Sequence, residues 1–454
     1  MRFRLLTLLA ALVLGLGFGP VQAQDATPSY SIVPHSAPTS KIEVAQLPAA
    51  GVSNFDPVKA TNAYLAQIPA KDRARTDAYF EGGYVLQVVD LVYALVVAGL
   101  LLWLKISSRM RSWAESITSR RWLQVPIYAV QYIVITTVVT LPLSIHEGFF
   151  REHHYGLSNQ TFGQWFGEFG ISFLIEIIAF SLVLTLIYAA ARKVQRKWWM
   201  WGAGITVAFM VVAIAIAPVF IEPLSNKYTP LPESATRNAI LSLARSQEIP
   251  AKDVYLVDAS RQSKRVSANV AGLFGTTRIA LNDNLMNRCT PSEVLQVLGH
   301  EMGHYVMNHV GTSITWLGLI ICLGFWFVDW GYHRLTRIFG AKWDVRGIDD
   351  PAGLPLILAV FSVFMFLATP LTNTMTRTQE IQADLFGLNL VRQPDAEAKV
   401  DLMLGEYRKM DPSPLEEFVF FDHPSGKNRI LMAMRWKAEH LNDPDIMAGP
   451  ISPQ

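Results

Sequence analysis

The sequence predicts an α-helical multi-pass membrane protein carrying a small polar α/β domain, and three observations predict it. Only 17% of the 454 residues are charged and 51% are hydrophobic, where a soluble domain holds about 25% charged residues. The apolar content is gathered into runs of about twenty residues, the length a helix needs to cross roughly 30 Å of hydrocarbon. Two polar stretches, 223–309 and 376–454, interrupt those runs and have room to fold outside the bilayer. A formal charge of +2 leaves no basic footprint for nucleic acid, and two cysteines, Cys289 and Cys322, make no disulfide framework.

Taken in order, residues 1–23 read as a signal peptide or a first membrane span: Arg2 and Arg4 precede an apolar stretch, and Val21-Gln22-Ala23 follows as a small-residue cleavage pattern. Residues 24–79, rich in Ser, Pro, Thr and Ala without a clear period, read as a mobile extramembrane segment. Four transmembrane helices are expected within 80–222, at 83–104, 123–145, 171–190 and 201–221. Two more are expected within 310–375, at 310–328 and 354–368, the last free to continue past Pro370 as it leaves the membrane. Helices are the economical form, because a bilayer offers no water to backbone N–H and C=O groups. Lys and Arg number five in the first short loop, four in the third and four in the fifth, against Arg151 alone in the second. With the basic loops in the cytoplasm, both polar stretches lie on the extracytoplasmic side of what reads as a bacterial inner membrane.

The first polar stretch ends in His300-Glu301-Met302-Gly303-His304, an H-E-x-x-H pattern. On a helix, residues four apart share one face and converge on one ion. Thr290-Pro291-Ser292-Glu293 supplies the helix start, with a capping-box pair and a proline at the first helical position. His300 and His304 are therefore candidate zinc ligands, and Glu301 the base that takes a proton from the attacking water and returns it to the leaving amine. Downstream, Glu380-Ile381-Gln382-Ala383-Asp384 places two carboxylates one helical turn apart. Glu380 is the candidate third ligand, and Asp384 an acceptor that would fix the tautomer of a ligand imidazole. His304 and Glu380 are separated by two expected spans, so both lie on the same side, and the metal belongs near the membrane surface. His309, five residues beyond His304, falls off the ligand face of a continuous helix and reads as structural.

This series resembles the type I CAAX prenyl endopeptidases, integral-membrane zinc metalloproteases. It comprises H-E-x-x-H before a pair of spans, E-x-x-x-D after them, and His423-Pro424 with Arg429 beyond. Further matching segments lie at 141–144, 223–232, 263–265, Asn269 and 278–285, so the resemblance covers roughly 83–434. It implies a barrel of transmembrane helices enclosing a chamber, with one Zn2+ facing into it, held in a small zinc-peptidase domain. It implies that His423 and Arg429 stabilise the oxyanion. It also implies that a strand beside the metal receives substrate as an added strand, here 266–274, returning at 278–281 after a turn at Gly275, with Asn269 adding a side-chain contact. The expected substrates are extended peptides or membrane-associated proteins, with no obligate partner. Eukaryotic members present the site to the cytosol, opposite to the side that the loop charges predict.

Two clusters leave room for other readings. His146, Glu147, His153 and His154 share a short loop, as an interfacial polar group or a second metal site. Asp90 and Glu176 lie inside apolar runs, where an ionisable group faces a bundle interior or a hydrated cavity. They suit a chamber, or the proton relay of a transporter. A quality-control protease without prenyl substrates and an inactive scaffold are the remaining alternatives.

Overall fold

The computed structural model describes residues 55–224, 226–271 and 277–447. The signal or first-span reading of 1–23 therefore lies outside the described residues. Helix α1 (Pro57–Leu65) starts at Asp56, whose carboxylate accepts from the N–H groups of Val58 at 2.9 Å and Lys59 at 3.2 Å. It buries Ala60, Tyr64 and Leu65 against Leu388, Ala398 and Met434. Helix α2 (Ala70–Trp103) begins well before its apolar run. Residues 57–65 and 70–79 are thus helical where a mobile segment was expected, because the apolar stripe of α1 finds its cover on the far C-terminal part of the chain.

Among the described residues, five helical stretches are long and apolar enough to cross a membrane: Ala70–Trp103, Arg121–His154, Phe162–Ile216, His309–Trp343 and Pro351–Val391. After α3 (Ile106–Ile117) comes α4 (Arg121–Ile145). The third stretch is two helices, α5 (Phe162–Val194) and α6 (Trp198–Ile216), joined by a tight turn at Gln195–Lys197. They pack side by side through Val183, Ile187 and Ala191 on one and Trp198, Ala203 and Met210 on the other. All six expected apolar runs are therefore helical. Val85, Val92, Leu182, Leu319 and Leu323 stand more than half exposed, as suits lipid contact, while Asp90 and Glu176 are buried inside. At the basic-loop end, buried Arg111 of α3 donates to Asp350 at 2.7 Å and to Asp344 at 2.8 Å, tying α3 to the turn between the last two spans.

The polar domain holds a mixed sheet of order β1-β2-β4-β3, made of β1 (Tyr228–Pro230), β2 (Val254–Val257), β3 (Ala268–Ala271) and β4 (Arg278–Asn282). Strand β2 runs parallel to β4, and the 20 or so residues between them cross over through β3, which returns antiparallel to β4. Helix α7 (Ala235–Ser246) covers the sheet, capped by Ser234 on the N–H of Arg237. Helix α8 (Pro291–Val306) packs on the sheet through Val294, Leu298 and Met302, against Ile279, Leu281 and Leu285. Its expected capping box is formed, with Thr290 N–H donating to Glu293 at 2.9 Å.

Two long helices follow, α9 (His309–Trp343) and α10 (Leu354–Val391), the latter running through Pro370 without a break. Helix α10 leaves the bundle and crosses α8 at close range. A Cβ added at Gly387 would lie 2.9 Å from the backbone N of His300, and one at Gly303 would lie 3.2 Å from Cα of Ala383. Only glycine allows that approach, and the approach is what brings the two motifs together. Helices α11 (Pro394–Leu404), α12 (Pro414–Phe420) and α13 (Gly426–Glu439) complete the lobe around them.

Candidate metal centre

One turn of α8 separates His300 from His304, so both imidazoles leave the same face, and their Nε2 atoms lie 3.0 Å apart. Glu380 of α10 meets both, with Oε2 3.4 Å from Nε2 of His300 and Oε1 3.5 Å from Nε2 of His304. A tetrahedral zinc ion with bonds of about 2.0–2.1 Å holds its ligand atoms about 3.3–3.4 Å apart. Two imidazole nitrogens 3.0 Å apart, one facing Oε2 of the carboxylate at 3.4 Å and the other facing its Oε1 at 3.5 Å, leave the spacing such an ion needs. His300 and Glu380 are buried and His304 is half-buried, which leaves one side of the cluster open.

Behind His300 the carboxylate of Asp384 accepts from Nδ1 at 2.7 Å. That bond makes Nδ1 the protonated nitrogen and leaves a lone pair on Nε2, facing Glu380. Arg429 of α13 in turn grips Asp384, Nε donating to Oδ2 at 2.8 Å and Nη2 to Oδ1 at 2.5 Å. Glu397 at 3.5 Å and Asp401 at 3.2 Å also flank the guanidinium, and all four groups are buried. Burial pushes the Glu397 carboxyl up to about 7, with the Asp384 charge adding to the rise. Arg429, expected at the oxyanion, has its guanidinium behind the His300–Asp384 pair, among the carboxyl groups of Asp384, Glu397 and Asp401.

His423 does reach the cluster, its Nε2 3.4 Å from Oε2 of Glu380 and its Nδ1 3.0 Å from Asp422. Its delivery depends on Arg377, whose Nη1 donates to the carbonyl of Glu417 at 2.9 Å and to that of Phe421. The guanidinium thereby satisfies free carbonyls at the C-terminus of α12 and fixes the loop that carries His423. Arg377 lies three residues before Glu380, so the signal was its place on the ligand helix. Glu301 is half-buried next to His300, and burial pushes its carboxyl up to about 7.

Strand β3 is an edge strand. The N–H of Asn282 donates to Ser267 at 3.0 Å and Asn269 stands opposite Ala280. In that antiparallel register the backbone groups of Ala268 and Val270 point to the open edge. Asn269 projects from the face opposite α8, and its Oδ1 is buried without a hydrogen-bond partner among the described residues. The end of the expected receiving strand and the turn at Gly275 lie outside the described residues. The loop cluster is used structurally: His153 bridges the carbonyls of Phe149 and Gln160, each at 2.8 Å.

Comparison with known proteins gives the same answer as the geometry. Residues 230–437 match the family model of peptidase family M48, and residues 59–227 match that of the CAAX prenyl protease N-terminal region with five membrane helices. An uncharacterized metalloprotease of Bacillus subtilis, YhfN, is 35% identical over 342 residues, which are 75% of this chain and 79% of that one. CAAX prenyl protease 1 of Saccharomyces cerevisiae is 28% identical over 65% of this chain and 69% of its own. The fold is that of the crystal structure of S. mikatae Ste24p, with a TM-score of 0.70 over 83% of this chain and 95% of that one, at 21% identity. With 79% of the Bacillus subtilis relative covered at 35% identity, and a His-His-Glu cluster of metal-binding spacing where α8 and α10 cross, the chain belongs to peptidase family M48 and is an integral-membrane metalloprotease.

Proposed function

We propose that this metalloprotease is a zinc endopeptidase in which His300, His304 and Glu380 hold the ion. The observation that carries the reading is the convergence of the two imidazole Nε2 atoms, 3.0 Å apart, on the Glu380 carboxylate, each 3.4–3.5 Å from one of its oxygens. Zinc bound there supplies a Lewis acid that polarises a peptide carbonyl and acidifies a neighbouring water. Glu301 then takes the proton of that water and passes it to the leaving amine, a role suited to a carboxyl raised by burial. His423, on the open flank of Glu380, donates toward the oxygen of the scissile carbonyl. Asp384 orients His300, and Arg429 holds Asp384. The free edge of β3 binds an extended peptide by its main chain, and the unpartnered Oδ1 of Asn269 supports a further contact to it.

The names of the yeast and plant relatives make a C-terminal CAAX peptide, prenylated or plain, the first substrate to test. The loop charges support a catalytic lobe on the extracytoplasmic side of a bacterial inner membrane. Purified protein should carry one zinc per chain and cleave an extended peptide. A protein without stoichiometric metal ends the zinc reading. A cysteine introduced at Glu439, on the exposed face of α13, should react with a membrane-impermeant maleimide in intact spheroplasts; labelling only after lysis puts the lobe in the cytoplasm.

A further inference from the structure

The two ligand histidines are backed by unlike groups. His300 has the carboxylate of Asp384, whereas Nδ1 of His304 meets Nδ1 of His309 at 2.8 Å. Nε2 of His309 in turn meets Oε1 of Gln382 at 3.1 Å. Gln382 lies two residues from Glu380, so the chain His304–His309–Gln382 returns to the ligand helix. Two imidazole nitrogens at hydrogen-bond distance require one proton between them. If His309 supplied it, His304 would keep its own proton on Nε2, the atom that faces His300 and Glu380, and could not bind a metal. If His304 supplies it, Nδ1–H donates to His309, Nε2–H of His309 donates to Gln382, and Nε2 of His304 is left with its lone pair. Both contacts of the His304–His309–Gln382 chain are then satisfied, and the Nε2 lone pairs of His300 and His304, 3.0 Å apart, are left for a metal to hold.

The backbone is built for this contact. On a continuous helix a residue five positions on lies about 140° round from His304. Asn308 breaks the helix with φ 52 and ψ 44, a left-handed conformation that Asn tolerates, and its side chain then caps α9 on the N–H of Gly311 at 3.2 Å. The break turns His309 back against His304, with ring centroids 5.0 Å apart and planes at 72°. His309 is 5% exposed.

We propose that His309 is a positioning residue for the metal centre. It accepts the Nδ1 proton of His304, locking the imidazole in the metal-binding tautomer and orientation, with Gln382 fixing the proton on the far side of the His309 ring. The proposal rests on the zinc reading above. Its test is the zinc dissociation constant of the full chain in detergent, by competition with a chromophoric chelator, for wild type, His309→Leu, His309→Gln and Gln382→Leu. His309→Leu should weaken zinc about 10–100-fold. His309→Gln, whose amide oxygen can accept the same proton, should restore most of the affinity, and Gln382→Leu should fall between. Unchanged affinity in His309→Leu overturns the proposal. So does a loss that His309→Gln leaves unrestored while the thermal midpoint of the metal-free protein drops with it, since that marks packing alone. Wild-type protein that binds no zinc instead ends the zinc reading itself, so the two failures are told apart.

Discussion

Glu301 follows His300 on α8 and Arg429 holds Asp384 behind it, and their removal should have different signatures. Glu301→Gln keeps the shape of the side chain and leaves the three donor atoms in place. It should retain zinc by elemental analysis while kcat/KM for peptide falls about 10²–10⁴-fold. Arg429→Met leaves Asp384, Glu397 and Asp401 buried without their cation. Breaking such a buried ionic group costs about 3–5 kcal/mol, so the variant should unfold at clearly lower temperature in detergent, metal-bound or not. At this scale the sequence was legible where spacing alone decides: i and i+4 on a helix put His300 with His304, and Glu380 with Asp384. It was illegible where a single backbone angle decides. His309 was set aside because a continuous helix would turn it away, and the left-handed Asn308 that reverses this has no sequence signature beyond being an asparagine.

Among the elements, the crossing of α8 and α10 governs the centre, and it is set by glycine. Gly387→Ala puts a methyl group against the backbone of His300, where nothing flexible can move aside. It should destabilise the protein by about 1–3 kcal/mol and weaken zinc by separating the ligand helices, read by thermal melts and chelator competition. Gly204→Ala on α6 is the control, because nothing lies within 4 Å of the added Cβ: zinc affinity should stay at wild type and the thermal midpoint should hold or rise slightly. The apolar runs and the capping box announced α4 to α6 and α8 to α10, since each of those signals is local. Helix α1 was hidden for the opposite reason. Its Tyr64 is held by Asp395, whose carboxylate accepts from the phenol at 2.8 Å across 331 residues of sequence, and no local pattern reports a partner so distant.

For the whole molecule, the decisive legible fact was parity. Two spans between His304 and Glu380 return the chain to one side, and the structure brings those residues within 3.5 Å. A ligand set spread over α8 and α10 also ties metal occupancy to global stability. Removing zinc with a chelator should lower the thermal midpoint reversibly, and at a free zinc concentration of 100 times Kd the stabilisation lost is about 2.7 kcal/mol. A melt indifferent to chelator would show that the lobe holds together without the ion. The side of the membrane was less legible in sequence, since the loop charges and the eukaryotic resemblance point to opposite sides.

The membrane hairpin α9–α10 between the two halves of the ligand set has a consequence for biosynthesis. When the ribosome has delivered both imidazoles, Glu380 is still 76 residues away. At about 5–20 residues per second, that is a delay of about 4–15 seconds. Over that interval the nascent chain lacks the third of the proposed ligands, which arrives only after both helices of the hairpin have been made. On the proposed ligand set, a chain whose hairpin has not yet inserted holds only two of the three donors.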